Sequence, residues 1–159
     1  MALFCRIIQM DDLDEVMEFE GKRMAELYPD ESERMFASWS SHARKEAMEH
    51  YIPMGWCFLA RDPGVASTHS TEGALVGYFL AQPLLFVDGQ TQSLWMEHLQ
   101  HTSLQARDEL CDLAYRLSRE KNFQRVYFPQ GNGVHNSIST LKPQSWTPGT
   151  MMVKTTKAL

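Results

Sequence analysis

No glycine occurs between Gly89 and Gly131, and no tyrosine after Tyr127. The first absence denies the middle of the chain a glycine-rich loop whose backbone N–H groups would cradle a phosphate. The second leaves everything downstream without a phenol for acid–base work. Cysteine is scarce: Cys5, Cys57 and Cys111 are odd in number and widely spaced. They form neither a disulfide framework nor a zinc motif, so reduced, mostly buried thiols are expected. Cationic runs are missing and the net charge is −5. That disfavours a general nucleic-acid binder, which needs a basic surface to exchange for counterions. The most apolar stretch, ALVGYFLAQPLLFV, is broken by Gln82 and Pro83 and is shorter than a membrane span. The N-terminus reaches acidic residues too early for a signal peptide, and no Asn-x-Ser/Thr acceptor occurs. A soluble cytoplasmic protein with no membrane or nucleic-acid partner is expected.

What is present suits one globular domain over residues 1–159, with 43% hydrophobic and 22% charged residues. Phe4 to Gln9 forms a first strand. Asp11 or Asp12 caps a helix with Leu13, Val16, Met17, Met24, Leu27 and Tyr28 on one face, ended by Pro29. Ser32 caps a second, SERMFASWSSHARKEAMEHYI, with Phe36, Trp39, Ala43, Ala47 and Tyr51 sharing a face. Methionines 17, 24, 35 and 48 fill core. Strands follow at Trp56–Arg61, Gly73–Gln82 (with a bend over Pro83–Val87) and Gln90–Leu99, the last two joined by an Asp88-Gly89 hairpin turn. Ser103–Lys121 is the clearest helix, its apolar face Leu110, Leu113, Ala114 and Leu117, with Asn122 as left-handed terminator. A strand at Gln124–Phe128, a QGNGVHN loop, a short helix near Ser137–Leu141 and a strand at Thr150–Lys157 complete the chain. The order predicts a mixed α/β fold: an antiparallel hairpin part and one parallel βαβ pair.

The order of elements, with LWMEHL, the long helix, FQRVYF and the ending SWTPGTMMVK, resembles the GNAT acyltransferase superfamily over nearly the whole length. The resemblance implies a mostly antiparallel central sheet, a V-shaped split between strands 4 and 5, and helices on both faces. It also implies transfer of an acetyl group from acetyl-CoA to a small-molecule or peptide amine. The pantetheine arm would pair with the fourth strand's backbone, around Met96 and Leu99. The diphosphate would sit at the next helix's N-terminus, in a loop of pattern Q/R-x-x-G-x-G/A. Here that loop falls on Thr102 to Arg107, with Ser103 inside it and Gln105 and Arg107 at the glycine positions. The expected donor contacts are therefore Thr102, Ser103, Gln105, Ala106 and Arg107. Asn132 or Asn136 stands for the asparagine found after the fifth strand. The tyrosine acid of that family has no counterpart, its position falling on Leu141 or Ser139.

The residues also have their own logic. Thr102 with Gln105 fits a capping box, and Ser103 is the other candidate cap; either closes two orphan N–H donors with side chains. Arg107 offers a charge-assisted phosphate contact in place of the glycines. Glu97 sits in an otherwise apolar strand, where burial raises a carboxyl towards the range of a general base. Otherwise it is a strand glutamate facing solvent. His98 and His101 point to opposite faces of a strand, so no metal pair is expected, and either can serve as an alternative base or phosphate contact. Trp39, Tyr51, Trp56 and Trp95 either line an acceptor pocket or belong to the core. Without catalysis, the cleft would hold a partner or another ligand. Exposed hairpin edges leave a homodimer open.

Overall fold

The computed structural model describes residues 2–85, 92–146 and 149–155. The Asp88-Gly89 turn, the expected strand ends at Phe86–Val87 and Gln90, Pro148 and the final Thr156–Lys157 lie outside the described residues. Seven strands make one sheet: β1 (Phe4–Ile7), β2 (Phe58–Asp62), β3 (Ala74–Leu85), β4 (Gln92–His101), β5 (Arg125–Pro129), β6 (Gln144–Ser145) and β7 (Thr150–Lys154). Their order is β1-β2-β3-β4-β5-β7-β6. Only β4 and β5 pair in parallel; the other neighbours are antiparallel. Among the described residues five α-helices accompany them: α1 (Leu13–Leu27), α2 (Glu31–Trp39), α3 (Lys45–Tyr51), α4 (Leu104–Glu120) and α5 (Val134–Ile138).

Successive strand residues face opposite sides, which divides the core in two. Ala60, Phe79, Ala81, Leu94 and Met96 pack under α4 and α5 with Ala106, Leu110, Cys111, Val134 and Ile138. Leu59, Tyr78 and Leu80 pack under α1 and α3 with Val16, Phe19, Met48 and Tyr51. The long second helix of the sequence reading is two helices instead. Ser40 and Ser41 divide it by competing for backbone groups. Ser40 Oγ donates to the carbonyls of Phe36 and Ala37, and Ser41 Oγ accepts from the Ala43 N–H. As a result α2 buries no residue, and Phe36 and Trp39 stand exposed. In α1 the buried face is Leu13, Val16, Phe19 and Glu20, while Leu27 and Tyr28 overhang. The buried face of α4 runs through Ala106, Leu110, Cys111, Ala114 and Ser118, rotated from the expected Leu113 and Leu117. Met48 fills core, whereas Met35 is exposed. Asn122 takes φ 62 directly after α4.

Two irregularities position the site. The ladder between β4 and β5 covers Ser93–Trp95 against Arg125–Tyr127 and then stops, although both strands run on. The sheet therefore opens between them. On the other edge of β4, Leu80 pairs with His98 and Ala81 with Met96, so Glu97 is the extra residue of a β-bulge. The bulge breaks the alternation: Met96 and Leu99 both face α4, while Glu97 and His98 both turn towards α1 and α3.

Candidate functional site

Glu97 stands at the point where β4 parts from β5. Its Oε1 is 2.6 Å from Nδ1 of His42, in the segment between α2 and α3. Its Oε2 accepts from the Trp95 indole at 2.7 Å and from the Tyr51 hydroxyl at 3.2 Å. Gln82 Nε2 stands 3.5 Å from the same hydroxyl. Burial pushes the Glu97 carboxyl up, but the hydrogen bonds from Trp95, His42 and Tyr51 outweigh it and hold the carboxyl below its ordinary value. This reverses the direction expected from an apolar strand alone. Burial, then the charge of Glu97, pushes the Tyr51 hydroxyl up to about 12, which keeps it a donor. A cavity of about 500 Å³ opens beside Glu97, between Ser41, His42, Arg44, Ala47 and Tyr51. Three of the expected residues, Glu97, Tyr51 and Trp95, thus meet at one point, joined by His42, which sequence reading passed over.

His98 is turned away from that cavity. Its Nε2 lies 2.9 Å from Glu20 Oε1 of α1, deep against Tyr78. Trp39 lines a neighbouring cavity of about 410 Å³ with Met17, Glu20 and Met24, and Ser41, Arg44 and Glu46 border both cavities. Trp56 stacks on Phe123 at 4.9 Å, against the core under α4.

The junction between β4 and α4 is closely knit. Thr102 N–H donates to the Val76 carbonyl at 2.9 Å, tying the junction to β3. Ser103 is the cap of α4: its Oγ accepts from Ala106 N–H at 3.0 Å. The residue three positions on is alanine, which cannot reach back, so the cap closes one donor rather than the two of a capping box. Gln105 lies exposed on the helix, 3.5 Å from Glu109, and Ala106 is buried beneath it. Arg107 is buried, its Nε donating to Ser137 Oγ at 2.7 Å. A Cβ added to Gly133 would come within 2.2 Å of Arg107 Nη1. The guanidinium therefore lies under the loop after β5. Across the opening, Asn132 Nδ2 donates to the Leu99 carbonyl at 2.6 Å, and His101 Nε2 donates to the Asn132 carbonyl at 2.9 Å. Asn132 holds φ 52, a left-handed conformation that asparagine tolerates. Asn136 is exposed within α5, and Met96 is buried under α4.

An acyl donor can be tested against these groups. The backbone of β4 beyond Trp95 has no ladder partner in β5, which suits an extended, amide-bearing arm. The start of α4 suits an anion through its remaining N–H groups and dipole. No glycine brings the backbone close there, and the Arg107 guanidinium is engaged by Ser137. The arm fits; the diphosphate cradle is not of the glycine kind.

No family profile matches the chain. No curated protein matches it by sequence. Solved structures do match. A GNAT-family acetyltransferase from Listeria monocytogenes aligns with TM-score 0.60 at 12% identity, covering 96% of this chain and 93% of its own. An agmatine N-acetyltransferase aligns with TM-score 0.63 at 14% identity, covering 96% and 99%. A Drosophila melanogaster polyamine N-acetyltransferase that forms N-acetylagmatine aligns with TM-score 0.61 at 13% identity, covering 96% and 100%. The opened seven-stranded sheet, its parallel central pair and these whole-length superpositions identify the fold as that of the GNAT acetyltransferases.

Proposed function

We propose that the protein is an N-acyltransferase that moves an acetyl group from acetyl-CoA to an amine. One observation carries this: the parallel pair parts immediately before a bulge that turns Glu97 into a cavity. An acyl donor lying along the unpaired edge of β4 would bring its thioester to the side of the sheet opposite that cavity, with the opening between them. The amine would enter from the α1 and α3 side and lose its proton at the Glu97 centre. Tyr51 and Trp95 would hold that carboxylate ionised and oriented. Agmatine is the first acceptor to try, since two of the structural neighbours are named for acetylating it or forming its product. A peptide amine is the second.

A second reading has its own support. Asn132 and Arg107 bridge the opening and the helix start with groups of the protein itself, and no tyrosine follows Tyr127 to protonate a leaving thiolate. A protein that keeps the fold without catalysis, with a partner or another ligand in the cleft, would look this way. Steady-state turnover of agmatine with acetyl-CoA separates the two. Thiol release that tracks amine consumption supports acyl transfer. Tight donor binding without turnover on any amine leaves the second reading.

A further inference from the structure

We propose that His42, with Glu97 as its carboxylate partner, is the group that accepts the amine's proton. This deepens the acyl-transfer reading and rests on it. Glu97 itself is badly placed to be the base. Its two oxygens already take three hydrogen bonds, from His42, Trp95 and Tyr51. Satisfied by donors to this extent, a carboxylate has little basicity left to offer.

The imidazole has what the carboxylate lacks. An ionised carboxylate only accepts, so the 2.6 Å contact requires the proton on His42 Nδ1. In the neutral ring that leaves the other nitrogen, Nε2, bare. Among the described residues Nε2 has no partner, and His42 forms part of the wall of the cavity beside Glu97. The ring is mostly exposed, its side chain at 68%, while Glu97 is mostly covered at 21%. A half-buried, triply bonded carboxylate thus orients an accessible imidazole, the division of labour between orienting acid and working base that a carboxylate–histidine pair provides. The backbone supports it: Ser41 Oγ accepts from Ala43 N–H and shapes the turn that carries His42 between α2 and α3.

In the step so defined, the amine nitrogen forms a bond to the thioester carbon and the carbon–sulfur bond breaks. The proton leaving nitrogen goes to His42 Nε2, and Glu97 remains ionised beside the resulting imidazolium. The thiolate leaves with the bond pair and takes a proton from solvent, and the imidazolium returns its proton to water at its exposed side. Protons balance and no oxidant or reductant is involved. His98, although adjacent to Glu97 in sequence, points to Glu20 of α1 at 2.9 Å and lies against Tyr78, and it is not the base of this step.

Two measurements test this, one of them free of substrate. Nitrogen-15 shifts of the His42 ring in the ligand-free protein, once the ring is neutral, should show the Nδ1–H tautomer. Glu97→Ala should return the ring to the Nε2–H form that free imidazoles prefer in water. A wild-type ring already in the Nε2–H form overturns the pair. The second measurement is turnover of agmatine. His42→Ala should lower kcat by about 10²–10³-fold, with donor affinity by calorimetry unchanged and activity partly restored by added imidazole. A purely structural role would give no such rescue, and wild-type kcat in His42→Ala would overturn the proposal. Should the wild type bind no acyl donor, acyl transfer itself fails, and the tautomer alone decides whether the pair exists.

Discussion

At the scale of single residues, Glu97 drew attention as a carboxylate in the otherwise apolar run LWMEHL, with a strand glutamate facing solvent as the other reading. Its partners did not. His42 and Tyr51 lie 55 and 46 positions away, and nothing local ties them to β4. The direction of its titration also escaped sequence reasoning, because burial was visible as a tendency and the three donors were not. A carboxyl held below its ordinary value stabilises the folded state above that value, and the contribution is lost as pH falls through the folded value. The Arg6 guanidinium, at 2.7 Å, holds Asp12 down in the same way. Melting temperature should therefore hold down to about pH 5 and fall as pH drops through and below the ordinary carboxyl values of about 4. Glu97→Gln should narrow that fall, because the variant has no such carboxyl to protonate. A variant with the same pH slope as the wild type would show that the hydrogen bonds to Glu97 do not survive in solution.

At the scale of elements, the long helix and the strands were readable from periodicity to within a few residues, since burial on one side imposes its period on the chain. Three features were not. The break between α2 and α3 depends on serine hydroxyls choosing backbone carbonyl and N–H groups over water. The bulge at Glu97 is visible only in the pairing of β4 with β3, since a strand of regular period would send Glu97 and His98 to opposite faces. The short β6 appears only as the partner of β7. The cap of α4 was one of two candidates, and the bond to Ala106 N–H decides for Ser103. Ser103→Ala is expected to cost about 1 kcal/mol in a denaturant melt, and Thr102→Ala much less. The reverse order would place the cap at Thr102. The close approach of α4 to β3 gives a second check. A Cβ at Gly77 would stand 3.0 Å from Leu110 Cδ1 and 3.2 Å from Ala106 Cβ. Gly77→Ala should therefore destabilise by about 1–3 kcal/mol through overpacking, and a neutral effect in the same melt would mean α4 can shift outward.

At the scale of the whole molecule, the resemblance that the order of elements suggested is the fold found, down to the opening between the two parallel strands. Strand β2 is also tied to α1 by a feature no pattern announced. Arg61 of β2 is 1% exposed, with Glu15 of α1 at 2.6 Å and 2.9 Å and the Gly73 carbonyl at 3.1 Å. Arg61→Met leaves the half-buried Glu15 without its partner, and should cost at most about 3–5 kcal/mol, read as a drop in melting temperature. A variant that melts like the wild type would mean Glu15 escapes to water. An acyl donor would have to enter a cleft bridged by Asn132 and backed by Arg107. Calorimetric titration of the ligand-free protein with acetyl-CoA, and with CoA beside it, tests that most directly. The account predicts saturable one-to-one binding, with the β4 edge taking the arm and the start of α4 taking the phosphates without glycine. The absence of any binding heat at millimolar ligand would contradict it and give the cleft to another ligand or a partner.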